Sequence, residues 1–158
     1  MIDRNAGTVG TLALTGLEKL ARHMLHDFKG RVFRLNGRQI KLGRSVIKVS
    51  FDLPKDYEYT QDAPIHVDVK SDGQTIARMS AASNVLDKGR HSFPIEIPIE
   101  STKTGKNDLV LDGVFYYCRK KSGICLFDEL RYELPLNVSP GGSSRVDITV
   151  QIPEKTAK

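Results

Sequence analysis

Residues 108–136 read DLVLDGVFYYCRKKSGICLFDELRYELPL. An apolar stretch from Asp108 to Cys118 meets a short basic turn carrying Ser122-Gly123, and a second apolar stretch runs from Ile124 to Leu136. These are the two longest strand candidates in the chain, joined as a hairpin. If Lys121-Ser122 are the turn residues, Arg119 pairs with Ile124 and Cys118 faces Cys125. Directly opposed residues of an antiparallel pair have Cα atoms about 4.5–5.5 Å apart. A disulfide needs roughly 4.4–6.8 Å, so a bridge can form without moving the backbone. A bulge at Gly123 would shift the register by one.

Outward from this hairpin the two-residue period recurs. Ser45–Leu53 carries Val46, Ile47, Val49, Phe51 and Leu53, and Pro54 ends it. Residues 54–62 read as a loop. Ile65–Val69 reads as a strand, Asp72-Gly73 as a turn, Gln74–Met79 as its partner and 81–90 as a connection. Phe93, Ile95, Ile97 and Ile99 alternate with Pro94, Glu96, Pro98 and Glu100. The prolines lack ladder donors, which predicts an edge strand. Val146, Ile148, Val150 and Ile152 form a closing strand, and 154–158 a charged tail. Arg31–Leu35 and Arg38–Leu42 flank Asn36-Gly37, the dipeptide of a type I′ hairpin. Before residue 30, Thr8–Leu14 favours extended structure. Thr15-Gly16-Leu17-Glu18 then reads as a capping box. Leu17, Leu20, Ala21, Met24, Leu25 and Phe28 follow at helical spacing, with Gly30 as the stop. Eight or nine short strands and no strand–helix alternation after residue 30 predict an antiparallel immunoglobulin-like β-sandwich over 31–153, with one short N-terminal helix over 15–30.

Composition narrows the function. The chain has 158 residues, 39% hydrophobic and 27% charged, which suits one domain able to bury a core without staples. No run of about 18 apolar residues predicts a membrane span. The N-terminus has no basic segment leading an apolar one, so a cytoplasmic location is expected. Two cysteines exclude a disulfide-dense scaffold and a four-cysteine zinc site. Of the net charge of +5, residues 1–50 carry ten Lys/Arg against three Asp/Glu. Arg31, Arg34, Arg38, Lys41, Arg44 and Lys48 are spread among apolar residues, as solvent-facing strand positions are. Nucleic-acid binding is therefore disfavoured. His23 and His26 stand three apart beside Asp27 without a third ligand, so neither a metal nor a cofactor is expected. Asp128 and Glu129 point to opposite faces of a strand and cannot form a paired-carboxylate site; one of them can tune Cys125, or pair with Arg131. Asn137-Val138-Ser139 is a glycosylation sequon, but Pro140 follows it and no export signal precedes it. Hydrolase and phosphate-binding motifs are absent, which puts a self-sufficient enzyme last among the readings.

The chemistry gathers at Cys118 and Cys125. Arg119, Lys120 and Lys121 place cations beside Cys118, and nearby cations stabilise a thiolate. A bridge here closes a very short loop, so its entropic contribution to the fold is small. Such a bridge suits opening and closing. Two unbridged thiols, or an inert bridge pinning a hairpin, fit the same residues.

Tyr116-Tyr117-Cys118, the turn ending Gly123-Ile124, Cys125-Leu126 and the run to Leu134-Pro135-Leu136 resemble the redox hairpin in the N-terminal domain of the disulfide-exchange protein DsbD. The hairpin is more similar still to the C-terminal β-domain of NHL-repeat-containing protein 2 and its homologues. Those chains carry a thioredoxin-like domain, an NHL propeller and a β-sandwich. Ile2-Asp3-Arg4 and Ala6–Leu12 resemble the end of a propeller blade, and Val49–Pro54 with Ala63-Pro64 an early part of that sandwich. The resemblance implies a propeller stub over 1–14, a connecting helix over 15–30, and Cys118 and Cys125 as a redox pair. It implies Tyr116 and Tyr117 as the aromatic strand before that pair; the tuning by Arg119, Lys120 and Lys121 rests on their charge alone. The partners implied are a thioredoxin-like domain and the parent chain's propeller. Six residues separate the cysteines here, against five in the DsbD type. The aromatic cap of that type has candidates in Phe51, Tyr57 and Tyr59. The rival reading is a structural or protein-interaction module with no redox role.

Overall fold

The computed structural model describes residues 28–60, 65–73, 75–79, 84–85 and 93–155. The segment 1–14 expected as a propeller stub, His23, His26 and most of the expected helix over 15–30 lie outside them. The last three residues of that helix, Phe28–Gly30, are described and are not helical. Eleven strands are described: β1 (Arg31–Arg34), β2 (Arg38–Lys41), β3 (Gly43–Asp52), β4 (Tyr57–Tyr59), β5 (His66–Asp72), β6 (Ile76–Met79), β7 (Asn84–Val85), β8 (Ile95–Ser101), β9 (Gly105–Arg119), β10 (Cys125–Ser139) and β11 (Arg145–Gln151).

The described residues are all-β, in two mixed sheets. The larger runs β1-β10-β9-β5-β7, with β2 also on β10 and β4 also on β9; the smaller runs β11-β3-β8-β6. Strand period explains the core between them. Alternate residues of β9 and β10, such as Leu109, Leu111, Phe115, Tyr117, Leu130, Tyr132 and Leu134, are buried. They share one cluster with Ile47, Val49, Phe51, Ile95, Ile97, Val146 and Ile148 of the smaller sheet. Phe51 joins the two sheets directly, its ring 4.9 Å from that of Phe115 and 5.9 Å from that of Tyr132.

Four expectations are corrected. The sheets are not purely antiparallel: β1 and β2 lie parallel to β10, and β11 lies parallel to β3. Asn36-Gly37 does not turn the chain back. Arg34 lies beside Glu133 and Arg38 beside Leu136, so β1 and β2 run in one direction along β10 with one extra residue between them. That is a bulge, and Gly37 does not have positive φ. Asp72-Gly73 likewise makes no hairpin. β5 pairs with β9, whereas β6 pairs with β8 in the other sheet. Nor is β8 an edge: it lies between β3 and β6. Among the described residues, β6 partners it only at Ile99–Ser101, beyond Pro94 and Pro98, where donors are available.

The turn signals mark changes of sheet instead. Gly43, Gly73 and Gly105 have positive φ (98°, 144° and 137°) and stand where the chain leaves one sheet for the other. Buried Ser101 ties two of these corners together. Its hydroxyl accepts from Gly43 N (3.2 Å) and lies 3.3 Å from Gly43 O and 3.4 Å from Lys41 O.

Candidate functional site

The β9–β10 hairpin has the expected register. Cys118 lies opposite Cys125, and the two form a disulfide with Cα atoms 3.9 Å apart. Arg119 N donates to Ile124 O (2.8 Å) and Gly123 N to Arg119 O (2.9 Å), closing the turn over Lys120–Gly123. Gly123 has φ 65°, a left-handed conformation that suits glycine. Because Arg119 and Ile124 are the hydrogen-bonded pair, Cys118 and Cys125 occupy the next, non-hydrogen-bonded position, where side chains come closest.

Strand alternation divides five of the seven predicted residues between two faces, and the other two lie in the turn. Tyr116, Cys118, Cys125 and Phe127 share the outer face of the larger sheet, away from the core. Tyr116 and Phe127, the next same-face pair along the hairpin, stack with ring centroids 6.0 Å apart. Cys125 is exposed and Cys118 half-buried. Tyr117 and Arg119 point inward. The Tyr117 hydroxyl donates to Asp128 Oδ2 (3.3 Å). Burial, then the Asp128 carboxylate, push the Tyr117 phenol up to about 12. The Arg119 guanidinium donates to Tyr57 Oη (3.0 Å) and Glu154 Oε1 (3.4 Å). The hydrogen bond to Tyr57 leads the effects that raise its pKa. Its charge is thus held on the inner side, while Lys120 and Lys121 stay exposed in the turn.

The aromatic-cap candidates do not share the face of the bridge. Phe51 is in the core, and Tyr59 donates to its carbonyl (2.6 Å). Tyr57 packs edge-on against Tyr117, at 5.4 Å, on the inner side. Asp128 is buried and paired with Arg31 as well as Tyr117, so it faces away from Cys125. Arg131 pairs with neither Asp128 nor Glu129: its Nε and Nη2 hold Asp112 at 2.6 and 2.8 Å.

Sequence reasoning missed β4, because Pro54–Asp62 reads as a polar loop. Tyr57, Glu58 and Tyr59 lie opposite Arg119, Cys118 and Tyr117. Thr60 continues this line, its N–H donating to Tyr116 O (3.2 Å). Its hydroxyl lies 3.3 Å from Cys118 Sγ. The signal was there in the alternating, strand-favouring Tyr57-Glu58-Tyr59-Thr60, but three residues give period two little weight.

A cavity of about 1040 Å³ opens beneath the hairpin tip on its inner side, lined in part by Arg31, Tyr57, Arg119, Ile124, Leu126 and Asp128. Among the described residues, no three His, Cys, Asp or Glu side chains are grouped to hold a metal, and no helix is long and apolar enough to cross a membrane. No protein-family model matches the chain, and no curated protein matches it either.

Proposed function

We propose that the β9–β10 hairpin is a thiol–disulfide exchange element acting on a thioredoxin-like partner, within an immunoglobulin-like accessory sandwich of an NHL-type protein. The observation that carries the reading is a disulfide at the tip of a hairpin, on the face away from the core, with Cys125 exposed. An incoming thiolate reaches Cys125 Sγ and forms a mixed disulfide there. The Cys118–Cys125 bond breaks and its electron pair leaves on Cys118. The partner's second thiolate then displaces Cys125. The chain ends as a dithiol, and the partner's two thiols end as a disulfide. The sequence likeness of the hairpin to the DsbD and NHL-protein sandwiches supports the same direction, as does the one core between two sheets. A cytoplasmic setting belongs to this proposal.

A second reading, an interaction module without redox chemistry, is favoured by the exposed Tyr116, Ile124 and Phe127 around the tip. Trapping separates the two. Cys118→Ser leaves Cys125 as the exposed thiol; activated as its thionitrobenzoate mixed disulfide, it is expected to be attacked by the single active-site thiolate of a thioredoxin-class protein lacking its resolving cysteine, releasing thionitrobenzoate and leaving a protein–protein disulfide that dithiothreitol opens. Absence of any adduct with both this variant and Cys125→Ser, while both stay folded, would favour the interaction module.

A further inference from the structure

We infer that Thr60 is a positioning residue for the exchange, its hydroxyl stabilising Cys118 as the thiolate released in the first step. The inference rests on the exchange reading above. A disulfide sulfur carries no proton, so at 3.3 Å the Thr60 hydroxyl is the donor and Cys118 Sγ the acceptor. The donor is aimed by backbone: Thr60 N bonds to Tyr116 O, two residues from Cys118 on the same strand. Cys125, by contrast, is exposed, and its Sγ lies 3.5 Å from the Gly123 carbonyl, also an acceptor.

This asymmetry favours one direction of cleavage. When a thiolate attacks Cys125 Sγ, a new S–S bond forms there, the old one breaks, and negative charge grows on Cys118 Sγ. A hydrogen bond to a neutral sulfur becomes a hydrogen bond to an anion, which is stronger. It is therefore worth more in the transition state than in the starting disulfide. A better-stabilised leaving thiolate departs faster. Attack on Cys118 would instead release Cys125, for which no such donor stands among the described residues.

The test uses the full chain with reduced glutathione, acid quenching and mass-spectrometric mapping. Thr60→Val keeps the shape and removes the donor; Thr60→Ser keeps the donor. Bridge opening is expected to slow about ten-fold in Thr60→Val and to return to within about two-fold of the parent in Thr60→Ser. In the unmodified chain most trapped glutathione is expected on Cys125. Equal rates in all three proteins, or slowing shared by Thr60→Ser, would overturn the role of Thr60 and leave the exchange reading intact. If Thr60→Val does not fold, the mapping decides: glutathione divided evenly, or mainly on Cys118, overturns the assignment. A bridge in the parent chain that glutathione cannot open would sink the exchange reading and this inference together.

Discussion

Asp112 has an acceptor for every donor brought to it. Arg131 grips it through two nitrogens, and Lys70 Nζ approaches Oδ2 at 3.2 Å. Burial alone would raise this carboxyl, but the hydrogen bonds from Arg131 and Lys70 outweigh it and hold the carboxyl below its ordinary value. The folded chain therefore binds this proton less tightly than the unfolded chain does. The resulting stability is full above the unfolded value of about 3.9 and is lost as pH falls through the lower folded value. Urea unfolding of the parent and Asp112→Asn should differ by about 1 kcal/mol at pH 6. Near pH 2 the gap should close. A gap that is the same at both pH values would contradict the ionic origin. At the same scale, Asp128 shows what one sequence cannot disclose. Its partner Arg31 is 97 residues away, and nothing local distinguishes that pairing from one with Arg131.

At the scale of elements, period and length were legible while connections were not. The β9–β10 hairpin, its Cys118–Cys125 register, β3 and β11 follow from alternation and a local turn, since residues close in sequence meet at small entropic cost. Asn36-Gly37 and Asp72-Gly73 misled for one reason. Such dipeptides permit a reversal, but whether the chain reverses, bulges or changes sheet is decided by which distant strand offers a free edge. β10 supplies that edge for β1 and β2, and no residue near position 36 encodes it. β4 was lost because three residues beside a proline look like loop. The corrected connections make opposite demands on two glycines. Gly37 does not have positive φ, and an added Cβ would find its nearest neighbour, Pro135 O, at an ordinary 3.5 Å. Gly43 sits at φ 98° where the chain changes sheets. Gly37→Ala should therefore change stability by less than about 0.5 kcal/mol, and Gly43→Ala should destabilise by about 1–2 kcal/mol. Chemical denaturation measures both. A large loss at Gly37 would restore the hairpin and contradict the parallel β1–β10–β2 arrangement.

For the molecule as a whole, stability and chemistry occupy different regions. Both sheets contribute to one core, and distant strands close it: β1 lies along β10, and Ile152 N donates to Asp52 O at the far end of β3. The cysteines stand outside that core, on the opposite face of β9 and β10. Their bridge joins strands already paired over fourteen residues, so it adds little to a register fixed by the ladder and by burial. On the exchange reading proposed above, the bridge is expected to be lost and regained while the fold stands. The direct test is a glutathione redox titration of the full chain with thiol counting by mass spectrometry, alongside thermal melting of the oxidised and reduced forms. The account predicts a reversible two-electron transition near about −270 mV, within reach of thioredoxin-class dithiols. It also predicts melting temperatures of the two forms within a few degrees of each other. A bridge that stays closed below about −300 mV, or whose reduction unfolds the domain, would contradict it.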